Sequence, residues 1–129
     1  MTPESFLNGF AQAVVDQSFD RAEKMLAPWI RSQLPVGGLK RVVRLARGDN
    51  PPAVEFELAE LEETDAASMR EDIDDVPDEI TDENFRGCWQ IEFQPDEDAD
   101  ADVEYSYAFY LALVADGKEL MIGYLEPVD

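Results

Sequence analysis

Tyr105-Ser106-Tyr107-Ala108-Phe109-Tyr110-Leu111-Ala112-Leu113-Val114-Ala115 is the stretch on which the fold turns. Side chains of an extended segment alternate between two sides. Tyr105, Tyr107, Phe109, Leu111 and Leu113 therefore share one side, and Ala108, Tyr110, Ala112 and Val114 share the other. Both sides are apolar, so a strand over 104–115 belongs inside a sheet that is covered on both faces. Helices elsewhere in the chain can supply one cover. The second must come from a loop or from another subunit, which makes a homodimer an expectation to be tested.

Working outward, Asp116-Gly117 is a strong hairpin signal. The run after it predicts a fourth strand over 119–126, ended by Pro127. Upstream, Trp89, Ile91 and Phe93 alternate with Gln90, Glu92 and Gln94, which predicts a second strand over 88–94. Earlier still, Val54, Phe56 and Leu58 alternate with Glu55, Glu57 and Ala59, a first strand with one dry face. Asp49-Asn50-Pro51-Pro52 separates that strand from what precedes it.

Residues 1–48 are spaced as helices. Thr2 is placed to cap a first helix, with Pro3 at its opening position and Glu4 at the favourable end of the dipole. Phe6, Phe10 and Val14, with Leu7 and Ala11, form its apolar stripe. Ser18 is expected to cap a second helix, whose stripe of Phe19, Ala22, Met25 and Leu26 should run to about Ala27. Pro28 cannot donate back to Lys24 and ends it. Pro28 can open a short turn carrying Trp29, Ile30 and Leu34, which Pro35-Val36-Gly37-Gly38 stops. Leu39, Val42, Val43 and Ala46 predict a further helix with Gly48 at its C-cap. Lys40, Arg41, Arg44 and Arg47 lie on its polar side, matched to the negative helix end. They also form a basic ledge on which the acidic half of this chain, or of a second copy, can dock. Helices followed by antiparallel strands predict one α+β domain over 1–129, with N-terminal helices packed on one face of a four-stranded antiparallel sheet.

The charge is lopsided. The chain carries 30 Asp+Glu against 10 Lys+Arg, a net charge of -20. Residues 1–48 hold four acids and seven bases, whereas 49–104 hold 22 acids and two bases. That balance excludes nucleic-acid binding through phosphates and adhesion to anionic membranes, both of which need cations. It suits a basic protein partner, and it also suits simple solubility or a salt-adapted surface. Two connections hold most of the acids. Residues 62–84 include Asp72, Asp74, Asp75, Asp78, Glu79, Asp82 and Glu83, the candidate partner-binding set. They also include Ile73, Val76 and Ile80, which let the segment lie against the fold as a turn or short helix. A connection this long is usually functional or mobile. Asp96, Asp98, Asp100 and Asp102, with Glu104, form the second set. Their alternation invites a calcium reading, but the EF-hand pattern fails. Counted from Asp96, Ala101 stands where glycine is required and Tyr107 where the closing glutamate is required.

The chain has no histidine and a single cysteine, Cys88. The missing imidazole removes Ser-His and Cys-His catalysis and the usual zinc ligand sets. Cys88, beside Trp89, is expected to be a buried, inert thiol. A lone thiol, the lack of a basic-then-apolar leader and the lack of a membrane-length apolar run point to a cytoplasmic protein. No catalytic residue, metal site or cofactor is assigned.

Ser18-Phe19-Asp20-Arg21-Ala22 followed by Met25-Leu26-Ala27-Pro28 resembles the opening of the NTF2-like (cystatin-like α+β) superfamily. There a first helix leads into an acidic–aromatic turn and a leucine-rich helix ending at proline. Ile122-Gly123-Tyr124-Leu125-Glu126 closes the chain in a similar way. The resemblance implies a curved sheet folded around helices, often with a pocket at its wide end and often a dimer through the sheet. It implies no activity, since that superfamily spans isomerases, dehydratases, transport factors and immunity proteins. The dehydratases' His–Asp pairs have no counterpart here, and the long acidic insert after the first strand departs from the pattern.

The leading expectation is a non-catalytic acidic binding protein whose loops 62–84 and 95–104 contact a basic protein partner, of the immunity type for example. The alternative is a small-molecule binding protein or a Tyr/Asp-dependent isomerase-type enzyme. Its pocket would lie between helices and sheet, lined by Phe10, Trp29, Trp89, Tyr107 and Phe109. Such chemistry needs a sealed carboxylate beside a phenol.

Overall fold

The computed structural model describes residues 2–48, 53–61, 65–73, 76–95 and 107–128. The helices are α1 (Pro3–Val15), α2 (Phe19–Glu23), α3 (Pro28–Arg31), α4 (Gly38–Arg47) and α5 (Ala66–Asp72). The strands are β1 (Ala53–Glu60), β2 (Phe85–Pro95), β3 (Tyr107–Asp116) and β4 (Glu119–Val128). The strands form one antiparallel sheet in the order β1-β2-β3-β4. The fold is α+β, with the N-terminal helices against one face of that sheet, as the order of patterns predicts.

β3 is covered on both sides. Tyr107, Phe109, Leu111 and Leu113 join Phe6, Leu7, Phe10, Leu39, Val43, Trp89, Ile91 and Phe93 in the larger core, beneath the helices. Ala112 and Val114 face the other way. They meet Cys88, Phe85, Ala66, Met69 and Ile80 in a second, smaller core. The second cover is therefore the segment between β1 and β2, folded back as α5 and the turns after it. Cys88 is fully buried there, as expected, and accepts a hydrogen bond from the Tyr110 hydroxyl at 2.9 Å.

The N-terminal cap forms as read: the Ser5 N–H donates to Thr2 Oγ1 at 3.1 Å. The hairpin after Asp116 forms too, with Asp116 opposite Glu119. Three local expectations fail, each for a long-range reason. The second helix ends at Glu23 rather than near Ala27. Beyond it the backbone straightens to pair with β4: Ile122 N–H donates to Met25 O and Ala27 N–H donates to Ile122 O, both at 2.9 Å. Val54 is 50% exposed, because a register shift between Ala53 and Glu55 turns Ala53 inward in its place. Pro127 does not end β4, which runs on to Val128 opposite Ala108. β4 is an edge strand, where a missing N–H costs no ladder bond.

β4 also carries a bulge. The pairing jumps from Ala112–Tyr124 to Leu113–Ile122 and skips Gly123. A Cβ at Gly123 would lie 2.9 Å from Val114 Cγ1, so only glycine lets the strand pass this close. The carbonyl of Gly123 accepts from Trp29 Nε1 at 2.9 Å, which ties α3 to the sheet edge.

Candidate functional site

The candidate site is the acidic cover of the second face, and it is built from its apolar underside upward. Met69 and Ile80 are fully buried against the sheet, with Ile73 and Val76 packed beside them. Asp65 caps α5, accepting from the Ser68 N–H at 2.7 Å. The hydrogen bonds from Ser68 hold the Asp65 carboxyl below its ordinary value. Asp82 Oδ1 accepts from the Ala66 N–H at 2.9 Å, so a second carboxylate satisfies the start of the same helix.

The cations of this region are engaged by backbone. Arg70 donates to the carbonyls of Pro77 (3.1 Å) and Ile80. Arg86 donates to those of Glu83 and Phe85, each at 2.9 Å. Asn84 completes the bracing, donating to Glu79 O at 2.8 Å and accepting from the Thr81 N–H at 2.9 Å. The turn 77–84 is thus held by side chains that neutralise none of its carboxylates. Asp78, Glu79 and Glu83 are exposed. Among the described residues the one ion pair within 4 Å is Arg21–Asp16, at 3.9 Å, on the other face.

Of the seven acids predicted to meet a partner, the structure brings Asp78, Glu79, Asp82 and Glu83 together on this turn. Asp82 has a structural duty that the sequence reading missed. Asp72 ends α5, and Asp74 and Asp75 lie outside the described residues. So do the Asp49–Pro52 break, Tyr105 and the alternating acids Asp96, Asp98, Asp100, Asp102 and Glu104. Among the described residues no three carboxylate or thiol groups gather as a metal site. No described helix is long and apolar enough to cross a membrane.

The five aromatics proposed to line a pocket divide between the two cores. Phe10, Trp89, Tyr107 and Phe109 belong to the helix-covered core, where Phe93 stacks on Tyr107 at 5.2 Å and meets Phe109 edge-on at 6.2 Å. Trp29 packs on the other core. No polar or charged residue is buried among the described residues. Among the described residues a phenol and a carboxylate meet at Tyr124 and Glu126, 2.7 Å apart at the exposed end of β4. Burial pushes the Tyr107 phenol above its ordinary value, and nearby Arg47 opposes the shift.

A second carboxylate contact that sequence spacing could not show lies on the helical side. Glu23 reaches from α2 to the start of α4, where its Oε1 accepts from the Leu39 N–H at 2.9 Å. A Cβ at Gly38, whose φ is +67°, would collide with that carboxylate. The carboxylate therefore offsets the positive end of α4.

Comparison with protein-family models, with curated proteins and with solved structures finds no match.

Proposed function

We propose that this chain is a non-catalytic binding protein whose acidic segment 62–84 meets a basic protein partner. Neutralising a basic toxin, as immunity proteins do, is one concrete version. One observation carries the reading. The only two cations within residues 65–86 are engaged by backbone carbonyls, which leaves Asp78, Glu79 and Glu83 exposed on a braced turn. Carboxylates held in place before contact lose little freedom when a partner's Lys or Arg arrives, and a concentrated negative patch speeds encounter. The isomerase alternative is less well supported, because it needs a carboxylate sealed from water. The kinship with the NTF2-like superfamily belongs to the same proposal. It rests on the Ser18–Ala22 turn and on helices preceding an antiparallel sheet.

The test is capture of native-lysate proteins by the immobilised chain, compared with two variants of equal charge change. One carries Asp78→Asn, Glu79→Gln and Glu83→Gln. The other carries Glu55→Gln, Glu57→Gln and Glu60→Gln on the edge strand. Specific recognition predicts that a basic protein is lost from the first variant and kept by the second. Its capture by the unaltered chain should also fall steeply between roughly 50 and 500 mM salt, as the Debye length shrinks severalfold. Equal capture by all three chains, or equal loss from both variants, would sink the reading.

A further inference from the structure

The two faces of the sheet carry opposite charge and point away from each other. Seven of the ten Lys+Arg lie within residues 21–47, in the helical cover. Asp78, Glu79 and Glu83 lie in the opposite cover, with the sheet between. Within one molecule the two sets cannot meet.

On α4, Lys40, Arg41 and Arg44 surround an open groove of about 570 Å³, completed by Gly37, Leu45 and Gly48. Arg41 reaches the Val36 carbonyl at 3.3 Å, and none of the three cations has an ion pair among the described residues. Arg44, in the last turn of α4, is an ordinary solvated partner of the dipole, whereas Lys40 and Arg41 stand near the opposite end of the helix. The dipole does not account for the apolar side chains beside them. Val36 is 88% exposed and Leu45 71% exposed, the two most exposed large hydrophobics among the described residues. Clustered cations next to bare apolar surface suit an acidic segment that also offers an aliphatic side chain. The turn carrying Asp78, Glu79 and Glu83, with half-buried Val76 next to it, is such a segment.

We propose that the α4 groove of one copy receives the acidic turn of a second copy, head to tail. The contact joins two different surfaces on opposite faces, so it gives open chains, or a ring where the rotation closes, rather than a two-fold dimer. Salt acts in two directions. Two molecules of net charge -20 repel at range. At about 0.15 M salt the Debye length is about 8 Å, so repulsion between distant charges fades while pairs in contact still attract. At higher salt the contact pairs weaken as well. Association should therefore peak at intermediate salt. The inference does not rest on a basic partner, whose capture instead falls continuously with salt.

Sedimentation velocity of the intact chain, over a concentration series at roughly 20, 150 and 600 mM NaCl, tests it. The expected result is a mass that grows with concentration most strongly at the middle salt. A groove variant, Arg41→Glu with Arg44→Glu, and a turn variant, Asp78→Asn with Glu79→Gln, should each associate at least tenfold more weakly alone. Mixed together they should form a 1:1 pair that grows no further, because each supplies the surface the other lacks. A monomer at every salt and concentration overturns the proposal, even if a variant misfolds. So does association of either folded variant at the strength of the unaltered chain. The groove variant keeps the acidic turn, so its capture of a basic partner reports on that reading separately.

Discussion

The helical face and the insert face cover the same sheet by different means. On the helical face, four successive helices bury Phe10, Leu39, Phe93, Phe109 and Leu111 in one continuous layer. On the insert face, a segment dense in carboxylates is pinned by Ala66, Met69 and Ile80 against Cys88, Ala112 and Val114. The first cover gains its stability from apolar area. The second has little area, and its surface charge opposes compaction. It is held in place by cross-links to backbone from Arg70, Asp82 and Asn84. The contrast teaches that a highly acidic segment can serve as a lid on a sheet when its few cations brace carbonyls instead of pairing with its acids.

The largest expected effect breaks the stronger face. Phe109 is 2% exposed and contacts both Phe93 and Tyr107. Phe109→Ala should cost about 3–5 kcal/mol in urea unfolding, through lost transfer energy and the cavity left behind. A loss below about 1 kcal/mol would mean that the helical layer is not the main source of stability.

A smaller, local effect is expected from Met69→Ala on the insert face. The helical core holds the sheet without Met69, so α5 should open by itself while the strands stay folded. Hydrogen exchange should quicken at least tenfold at the Met69 and Ile73 amides, which bond to Asp65 O and Met69 O. The amides joining β3 and β4 should change little. Uniform acceleration across the sheet would show that the two faces unfold as one unit.

What the sequence discloses about this contrast follows from how local each signal is. The two apolar sides of β3 are visible because alternation of Tyr107, Phe109, Leu111 and Leu113 with Ala112 and Val114 is a property of neighbours. The need for a second cover follows from that alternation, and Ile73, Val76 and Ile80 mark the segment that can provide it. Contacts between distant residues leave no such trace. Met25–Ala27 read as helix because their stripe is helical, yet pairing with Ile122 pulls them straight. Phe10 and Trp29 look alike as pocket lining, since periodicity does not say on which side of the sheet an element arrives. Asp82 reads as one more solvated acid, and only the fold brings it to the Ala66 amide 16 residues away.

The smallest effects assign each face to its own end of the pH scale. Asp65, at the start of α5 in the insert, has a folded pKa below the ordinary 3.8. The unfolded chain binds that proton first on acidification. The contribution is therefore complete above about 3.8 and is lost as pH falls through the lower folded value. Asn caps a helix about as well as Asp but does not titrate there, so Asp65→Asn should flatten the acid-induced rise in α5 exchange and leave β3 unaffected. Tyr107, under the helices, has a folded pKa above the ordinary 10.0. Above pH 10.0 the unfolded chain gains by ionising its phenol while the folded chain still holds the proton, so stability falls until the folded value is passed. Tyr107→Phe should make that alkaline fall shallower, read as the urea midpoint between pH 9 and 11, with no change in α5 exchange at pH 4. If either substitution altered both limbs equally, the two covers would share one titrating network, and the division drawn between them would fail.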